Sequence, residues 1–176
     1  MGGSQAFNNK LDTLFEQGHY WHGNEPNHQI PYLYAFAGQS WKTQKLVRKI
    51  IREEYDTGMG GLSGNEDGGQ MSAWLVFSMM GFYPVTPGSP VYVLGSPVFE
   101  ETILNLKGKK FSIVAKGVSD SALYIQSATL NGQPFTRTYL LHEELTKGGK
   151  LVLQMTDKPN KNWGVSISDR PASLSE

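Results

Sequence analysis

The residue pattern of this 176-residue chain changes character at Gly81-Phe82-Tyr83-Pro84. Before this point, apolar residues recur at the spacing of three and four that is typical of amphipathic helices. After it, short segments of alternating apolar and polar residues are separated by turn residues, which is the pattern of antiparallel strands. Helices followed by strands predict an α+β fold or separate domains. We place a helical unit at residues 1–85 and a β-rich unit at residues 86–176.

The helical unit contains four predicted helices. They are capped or begin at Ser4, Gln29, Ser40 and Met71, and end near Gly18, Ala37, Gly58 and Met80. Tyr55 falls on the apolar stripe of the third helix, as an ordinary core residue. The last helix, Met71–Met80, is apolar on nearly every side, and such a helix is normally buried. Because so few helices cannot enclose it, the helices either pack on the β-rich unit or belong to a larger helical array that this chain lacks, and we expect the larger array.

The β-rich unit contains seven predicted strands. They are Val91–Leu94, Thr102–Leu106, Phe111–Ala115, Ala122–Leu130, Thr138–Leu141, Leu151–Met155 and Trp163–Ile167. Asn131-Gly132 is a strong hairpin signal after the fourth of them. His142-Glu143-Glu144 is predicted to be a solvated loop. We expect an antiparallel, sandwich-like unit with a polar tail that frays from Asp169 onward.

Composition excludes several classes of protein. The 16 basic and 16 acidic residues balance, which argues against nucleic acid or an anionic membrane as the main partner. There is no cysteine, so disulfides, thiolate nucleophiles and zinc–sulfur sites are excluded. No segment approaches the roughly 20 apolar residues of a membrane span. Met1-Gly2-Gly3-Ser4 is not a secretory signal, and we expect this start to lie within a longer sequence that could hold one.

Two adjacent carboxylates, Glu66 and Asp67, stand on a glycine-bracketed loop directly before the apolar helix. Glycines let the backbone approach a ligand closely, and a helix N-terminus favours ionised carboxylates. Such a loop suits a general base or a ligand of a hard metal ion. The alternative is an ordinary helix N-terminus with acidic residues. Because adjacent side chains point in different directions, one carboxylate can face a cleft while the other anchors the loop.

A second polar loop, residues 19–29, contains three histidines, one carboxylate and three side-chain amides. Its amide and carboxylate oxygens suit calcium, whereas the spacing of His22 and His28 with Glu25 fits no standard zinc site. The alternative is a loop whose polar side chains cap helix ends. Paired carboxylates from different loops are the arrangement used in glycoside hydrolysis. Glu25, or a group outside the chain, is the expected partner of the acidic loop.

Together these motifs resemble the C-terminal part of glycoside hydrolase family 92, the calcium-dependent, inverting exo-α-mannosidases. The resembling segments include His22-Gly23-Asn24-Glu25-Pro26, Trp41-Lys42-Thr43-Gln44, Gly64-Asn65-Glu66-Asp67, Gly69-Gln70-Met71-Ser72-Ala73-Trp74, Gly81-Phe82-Tyr83-Pro84-Val85 and Leu130-Asn131-Gly132. The resemblance implies the last helices of an (α/α)6 barrel followed by β structure. An N-terminal β-sandwich domain and the remainder of the barrel would then be missing partners of this chain.

The resemblance also implies roles for single residues. Asp67 matches the general base that activates water, and Glu66 is expected to act beside it in catalysis. The residues expected to bind substrate are His22, Glu25, His28 and Gln70. Those expected to contact Ca²⁺ are Asn24, Glu25 and Asp67. The family's general acid lies upstream of residue 1, and its second acidic position, two residues before the base, is Asn65 here.

We therefore expect a fragment of a bacterial glycosidase that removes terminal α-linked mannose from mannosides or N-glycans. The whole protein is expected to be periplasmic or secreted and to bind mannose-containing oligosaccharides. The isolated chain is expected to be inactive, because it lacks the acid and much of the barrel. The alternative is a carbohydrate-binding or accessory module without catalysis.

Overall fold

The structure of the chain, a computed structural model, describes residues 2–173. It confirms an α+β fold in which most helices precede the sheets. Met1 and residues 174–176, the outer ends of the two predicted units, lie outside the described residues. Within the described part, no helix has the length and apolar character needed to cross a membrane.

Between residues 2 and 173, four α-helices precede the first strand, and a fifth lies between two strands. Their bounds are α1 Gly3–Glu16, α2 Leu33–Phe36, α3 Ser40–Glu53, α4 Gln70–Met80 and α5 His142–Lys147. Short 3-10 turns cover Glu25–Asn27, Ile30–Tyr32 and Ile167–Asp169. Helix α5 stands where we predicted a solvated loop, and that prediction is wrong. The carboxylate of Glu144 accepts the backbone N–H of Leu141 at 2.8 Å, which closes the first turn of the helix.

Eight strands form two sheets in the described residues. Their bounds are β1 Phe82–Tyr83, β2 Val91–Leu94, β3 Glu101–Leu106, β4 Lys109–Lys116, β5 Tyr124–Leu130, β6 Gln133–Phe135, β7 Tyr139–Leu141 and β8 Gly149–Thr156. A small antiparallel sheet has the order β1-β2-β7, and a larger sheet has the order β3-β4-β8-β5-β6. Strands β4 and β8 pair in parallel, so the larger sheet is mixed rather than wholly antiparallel as predicted. The long connection between these two strands permits the parallel pairing.

The predicted strand Trp163–Ile167 does not form. Gly164 has a φ of 71°, and a Cβ added there would lie 2.0 Å from a side-chain carbon of Thr138. This left-handed backbone does not fit a strand, and the close approach to Thr138 requires glycine. The tail from Asp169 is also ordered in its described part, because the Asp169 carbonyl accepts the N–H of Thr138 at 2.8 Å. The rest of the predicted frayed tail, residues 174–176, lies outside the described residues.

Two clusters of buried apolar side chains stabilise the fold. One lies on the larger sheet and includes Phe111, Ile113, Ile125, Leu151 and Leu153. The other joins the helices to the small sheet and includes Tyr32, Val47, Trp74, Tyr83 and Val93. Because Tyr83 and Val93 are paired across β1 and β2, the second cluster connects both halves of the chain. The division into units at residue 85 stays a prediction.

Helix α4 is buried on one face only. Trp74 has no exposed surface, whereas Val76 is 55% exposed. Its neighbours α3 and β1 cover one side, so the described residues enclose the helix only in part, as predicted for so few helices. Membership of a larger helical array stays a prediction. The buried face sets the position of the loop that precedes the helix.

Candidate active site

The two polar loops predicted from the sequence lie against each other. A Cβ added to Gly64 would lie 2.2 Å from the carbonyl oxygen of Gly23. One added to Gly23 would lie 2.6 Å from the carbonyl oxygen of Ser63. Only glycine allows two backbones to approach so closely. The loop of residues 19–29 therefore packs directly on the segment that leads into Glu66 and Asp67.

Glu66 anchors the acidic loop to the first turn of α4. One of its carboxylate oxygens accepts the backbone N–H of Ser72 at 3.0 Å, and the other accepts the Ser72 hydroxyl at 2.7 Å. The residue at the N-cap is Gly69, which has no side chain to cap the helix. The Glu66 carboxylate takes over that role, and the two hydrogen bonds hold its pKa below the ordinary value.

Asp67 follows directly and is exposed. Its backbone lies in the left-handed region with a φ of 51°, which aspartate tolerates better than most residues. Its carboxylate makes no hydrogen bond to any other residue between 2 and 173. Of the two adjacent carboxylates, one is thus engaged in holding the loop and the other is available to a ligand. This division of roles is the one that the sequence suggested for adjacent side chains.

His22 and His28, both expected to bind substrate, are buried. The Tyr20 hydroxyl lies 2.7 Å from Nδ1 of His22, and the Tyr55 hydroxyl lies 2.7 Å from its Nε2. Burial, together with the neighbouring His28 ring, lowers the pKa of His22 to about 3. Burial likewise lowers the pKa of His28. Both rings are therefore neutral near pH 7, and His22 has protein partners at both ring nitrogens.

Gln70 connects the two loops. Its side-chain amide donates to Nδ1 of His28 at 3.1 Å and to the Tyr83 hydroxyl at 2.9 Å. The other ring nitrogen of His28 donates to the carbonyl oxygen of His22 at 3.0 Å. The carbonyl oxygen of the Gln70 side chain has no partner in the described part of the chain. Substrate contact therefore stays a prediction, with an open acceptor on Gln70 and no open ring nitrogen on either histidine.

Asn24 and Glu25 stand at the start of the 3-10 turn Glu25–Asn27. Neither side chain hydrogen bonds to another residue of the range 2–173. With Asp67 they were expected to contact calcium, which takes about six to eight oxygen ligands. Across the described residues, no group of three or more His, Cys, Asp or Glu side chains is placed to hold a metal ion. Contact of Asn24, Glu25 and Asp67 with calcium stays a prediction.

Sequence reasoning missed the part played by Tyr55 and Trp74. Their rings are stacked, 6.0 Å apart and 4° from parallel, beneath the two loops. The Trp74 indole N–H donates to the carbonyl oxygen of His28 at 2.9 Å. The sequence predicts Tyr55 as an apolar core residue of the third predicted helix, but the residue lies beyond the end of α3, and its hydroxyl partner His22 is 33 positions away. No local pattern marks such a contact.

The chain is similar to known proteins along its whole length. Residues 1–157 match the model of the glycosyl hydrolase family 92 catalytic domain. A family GH92 inverting mannosidase of Bacteroides thetaiotaomicron superimposes with a TM-score of 0.93 at 41% identity, covering 100% of this chain and 27% of its own. A GH92 α-mannosidase of that organism superimposes with a TM-score of 0.91 at 38% identity, covering 98% of this chain and 24% of its own. An uncharacterized secreted glycosidase of Arthroderma benhamiae is 34% identical over 99% of this chain and 23% of its own length.

The chain thus spans about a quarter of the length of these relatives, between 23% and 27%. The family match covers both polar loops and most of the β-rich half. The resemblance predicted from the motifs is confirmed. The chain belongs to glycosyl hydrolase family 92.

Proposed function

We propose that this chain supplies the water-activating carboxylate of a glycoside hydrolase that removes terminal α-linked mannose with inversion at C1. Family membership supports the reaction class, and the named mannosidases of Bacteroides thetaiotaomicron support the sugar. The observation that carries the assignment is the contrast between two neighbours. Glu66 is hydrogen bonded through both carboxylate oxygens, whereas Asp67 is exposed on the same fixed loop.

In an inverting glycosidase, a carboxylate removes a proton from water on one face of the sugar while a carboxylic acid protonates the departing oxygen. We assign the first role to Asp67. The water oxygen bonds to C1 as the glycosidic C–O bond breaks, and the water proton passes to Asp67. The second carboxyl group should stand roughly 6.5–9.5 Å from the first to leave room for the water. We propose that it comes from sequence outside this chain.

The neighbouring residues receive different roles. We propose that Glu66 holds the loop rather than exchanging protons with substrate, since its oxygens are engaged by Ser72. Glu25 and the Gln70 carbonyl oxygen are proposed acceptors for sugar hydroxyls. His22 and His28 are proposed to support the two loops from below, because both rings are buried.

Calcium is proposed only for the whole protein. Asn24 and Glu25 supply oxygen atoms of the kind that calcium prefers, and we propose that the remaining ligands come from sequence outside this chain. No step assigned here therefore passes through the metal ion. Isothermal titration of this chain with calcium chloride should show no binding at micromolar concentrations, and tight binding by the chain would contradict the assignment.

We also propose that the whole protein is exported and acts on mannose-bearing oligosaccharides such as N-glycans. The relative described as secreted supports export. Cell fractionation tests it directly, since the protein should be found outside the cytoplasm. Recovery in the cytoplasmic fraction alone would contradict export.

The substitution Asp67→Asn in the whole protein tests the assignment, with Glu66→Gln as the matched control. Asparagine tolerates the left-handed backbone of position 67, so the loop should keep its shape. Loss of a general base lowers kcat by about 10²–10⁴-fold. We expect such a loss for Asp67→Asn with an α-mannobioside and a loss below about tenfold for Glu66→Gln.

The opposite ranking of the two variants would contradict the proposal. Measurable turnover by this 176-residue chain alone would also contradict it, because the chain is proposed to lack the acid. Should the protein be a binding module, calorimetry would show unchanged mannose affinity after Asp67→Asn and Glu25→Gln, without turnover by the wild type.

A further inference from the structure

Tyr55 lies just beyond the end of α3, at the place where the two polar loops and the start of α4 meet. We propose that Tyr55 is a positioning residue that couples the loop carrying Asp67 to the loop of residues 19–29 through its hydroxyl group. The inference rests on the proposed function, because positioning matters only if Asp67 acts as the base. The coupling itself, however, can be measured independently of catalysis.

The direction of the hydrogen bonds follows from one carbonyl group. The Tyr55 hydroxyl lies 3.0 Å from the backbone carbonyl oxygen of Met71, which can only accept. The single proton of Tyr55 therefore points to Met71, the second residue of α4. Nε2 of His22 lies 2.7 Å from the same hydroxyl oxygen and must donate to it.

The position of the proton on the neutral His22 ring determines the direction of the next hydrogen bond. Its proton is on Nε2, so Nδ1 has a lone pair and accepts from the Tyr20 hydroxyl at 2.7 Å. Hydrogen bonds thus run in one direction from Tyr20 through His22 and Tyr55 to the first turn of α4. The His22 ring and the Tyr55 hydroxyl each donate one of these hydrogen bonds and accept another, as polar groups removed from water require.

A second connection runs beside the first. His28 donates from Nε2 to the carbonyl oxygen of His22 at 3.0 Å, so its Nδ1 is the acceptor of the Gln70 amide at 3.1 Å. Of the first two residues of α4, Gln70 is thus bonded directly to the loop of residues 19–29, and Met71 is connected to that loop through Tyr55. Asp67 precedes Gln70 by only three positions, and the Gln70 N–H donates to the carbonyl oxygen of Asp67 at 3.4 Å.

Tyr55 has no part of its own in proton transfer. Burial, and then the nearby Glu66 carboxylate, raise the pKa of Tyr55 far above the neutral range. Its ring is stacked on Trp74, and its hydroxyl is occupied on both sides. The residue acts on the site only through the groups it holds in place.

The substitution Tyr55→Phe removes the hydroxyl and keeps the ring on Trp74. Hydrogen–deuterium exchange of the chain should become about tenfold faster in residues 64–72 and in residues 20–28 together, because one link joins both. Tyr92→Phe is the matched control, since its hydroxyl contacts His142 in the β-rich half. Acceleration in one loop only, or equal acceleration by the control, would overturn the coupling.

Two further readouts separate positioning from a general loss of structure. Nitrogen-15 NMR should show both His22 and His28 as Nε2–H tautomers in the wild-type chain, and a Nδ1–H tautomer of His22 would overturn the proposed direction. In the whole protein, Tyr55→Phe should lower kcat with little change in KM. The double variant with Asp67→Asn should be no slower than Asp67→Asn alone, because both changes act on the same step.

The assignment of Asp67 as the base and the coupling through Tyr55 can be contradicted independently of each other. Full activity of Asp67→Asn would remove the assigned base, while joint acceleration of exchange in Tyr55→Phe would still establish the coupling. Additive losses in the double variant would instead show that Tyr55 acts independently of Asp67.

Discussion

The backbone of Gly64 lies directly against that of Gly23, and a Cβ on Gly64 would lie 2.2 Å from the carbonyl oxygen of Gly23. This contact joins two loops that are far apart in the sequence. The contact places the loop of residues 19–29, which includes Asn24 and Glu25, beside the segment that bears Asp67. The candidate site therefore depends on a packing contact between two glycines as much as on its carboxylates.

The substitution Gly64→Ala should destabilise the chain by about 1–3 kcal/mol, since a methyl group must displace backbone atoms. The matched control is Gly60→Ala, because a Cβ there meets nothing within 4 Å. Urea denaturation measures both variants. Equal midpoints for Gly64→Ala and the wild type would contradict the close packing of the loops.

The substitution Ser72→Ala should raise the pKa of Glu66 toward its ordinary value of 4.5, because the hydroxyl hydrogen bond to the carboxylate is lost. In the wild type, the hydrogen bonds from Ser72 to the Glu66 carboxylate stabilise the folded chain fully when the pH is above 4.5. This stabilisation is lost as the pH falls through the lowered pKa of Glu66. Carbon-13 NMR titration of the carboxyl group measures the change. Ser127→Ala, on the exposed side of β5, should leave the pKa unaltered.

His22 should make the stability of the chain depend on pH between its ordinary pKa of 6.5 and its folded value of about 3. In this interval the unfolded chain binds a proton that the buried ring does not, so stability falls as pH falls and is constant above the interval. Urea denaturation at a series of pH values should show a smaller slope for His22→Gln. The exposed control His19→Gln should keep the wild-type slope, and an equal reduction in the control would contradict the assignment.

The sequence predicts that the two adjacent carboxylates have different roles, but it does not predict which residue has which role. Adjacent Glu66 and Asp67 must point apart, so one anchor and one open group were expected. Which of them is the anchor depends on Ser72, whose N–H and hydroxyl both reach Glu66. A glycine at the N-cap makes such an anchor useful, and that signal is visible in the sequence.

Other features depend on contacts that no local pattern shows. The alternation of β4 and β8 predicts two strands but does not predict that they pair in parallel. The pattern around Trp163 predicts a strand, although its carbonyl oxygen accepts the Ser40 hydroxyl at 3.2 Å and its segment crosses to α3. The hydrogen bond between His22 and Tyr55 joins distant elements, so the sequence does not predict it, and substrate contact by His22 stays a prediction.

Chemical rescue of Asp67→Gly in the whole protein tests the central assignment most directly. Glycine suits the left-handed backbone at this position and leaves room for an anion. Azide is a nucleophile that needs no base. With an aryl α-mannoside as substrate, azide should attack C1 as the aryl oxide departs. Azide should therefore restore the turnover that the variant lacks in water alone. The account predicts a β-configured mannosyl azide as the product. Undiminished hydrolysis by Asp67→Gly without azide, or an α-configured azide, would contradict Asp67 as the base of an inverting reaction.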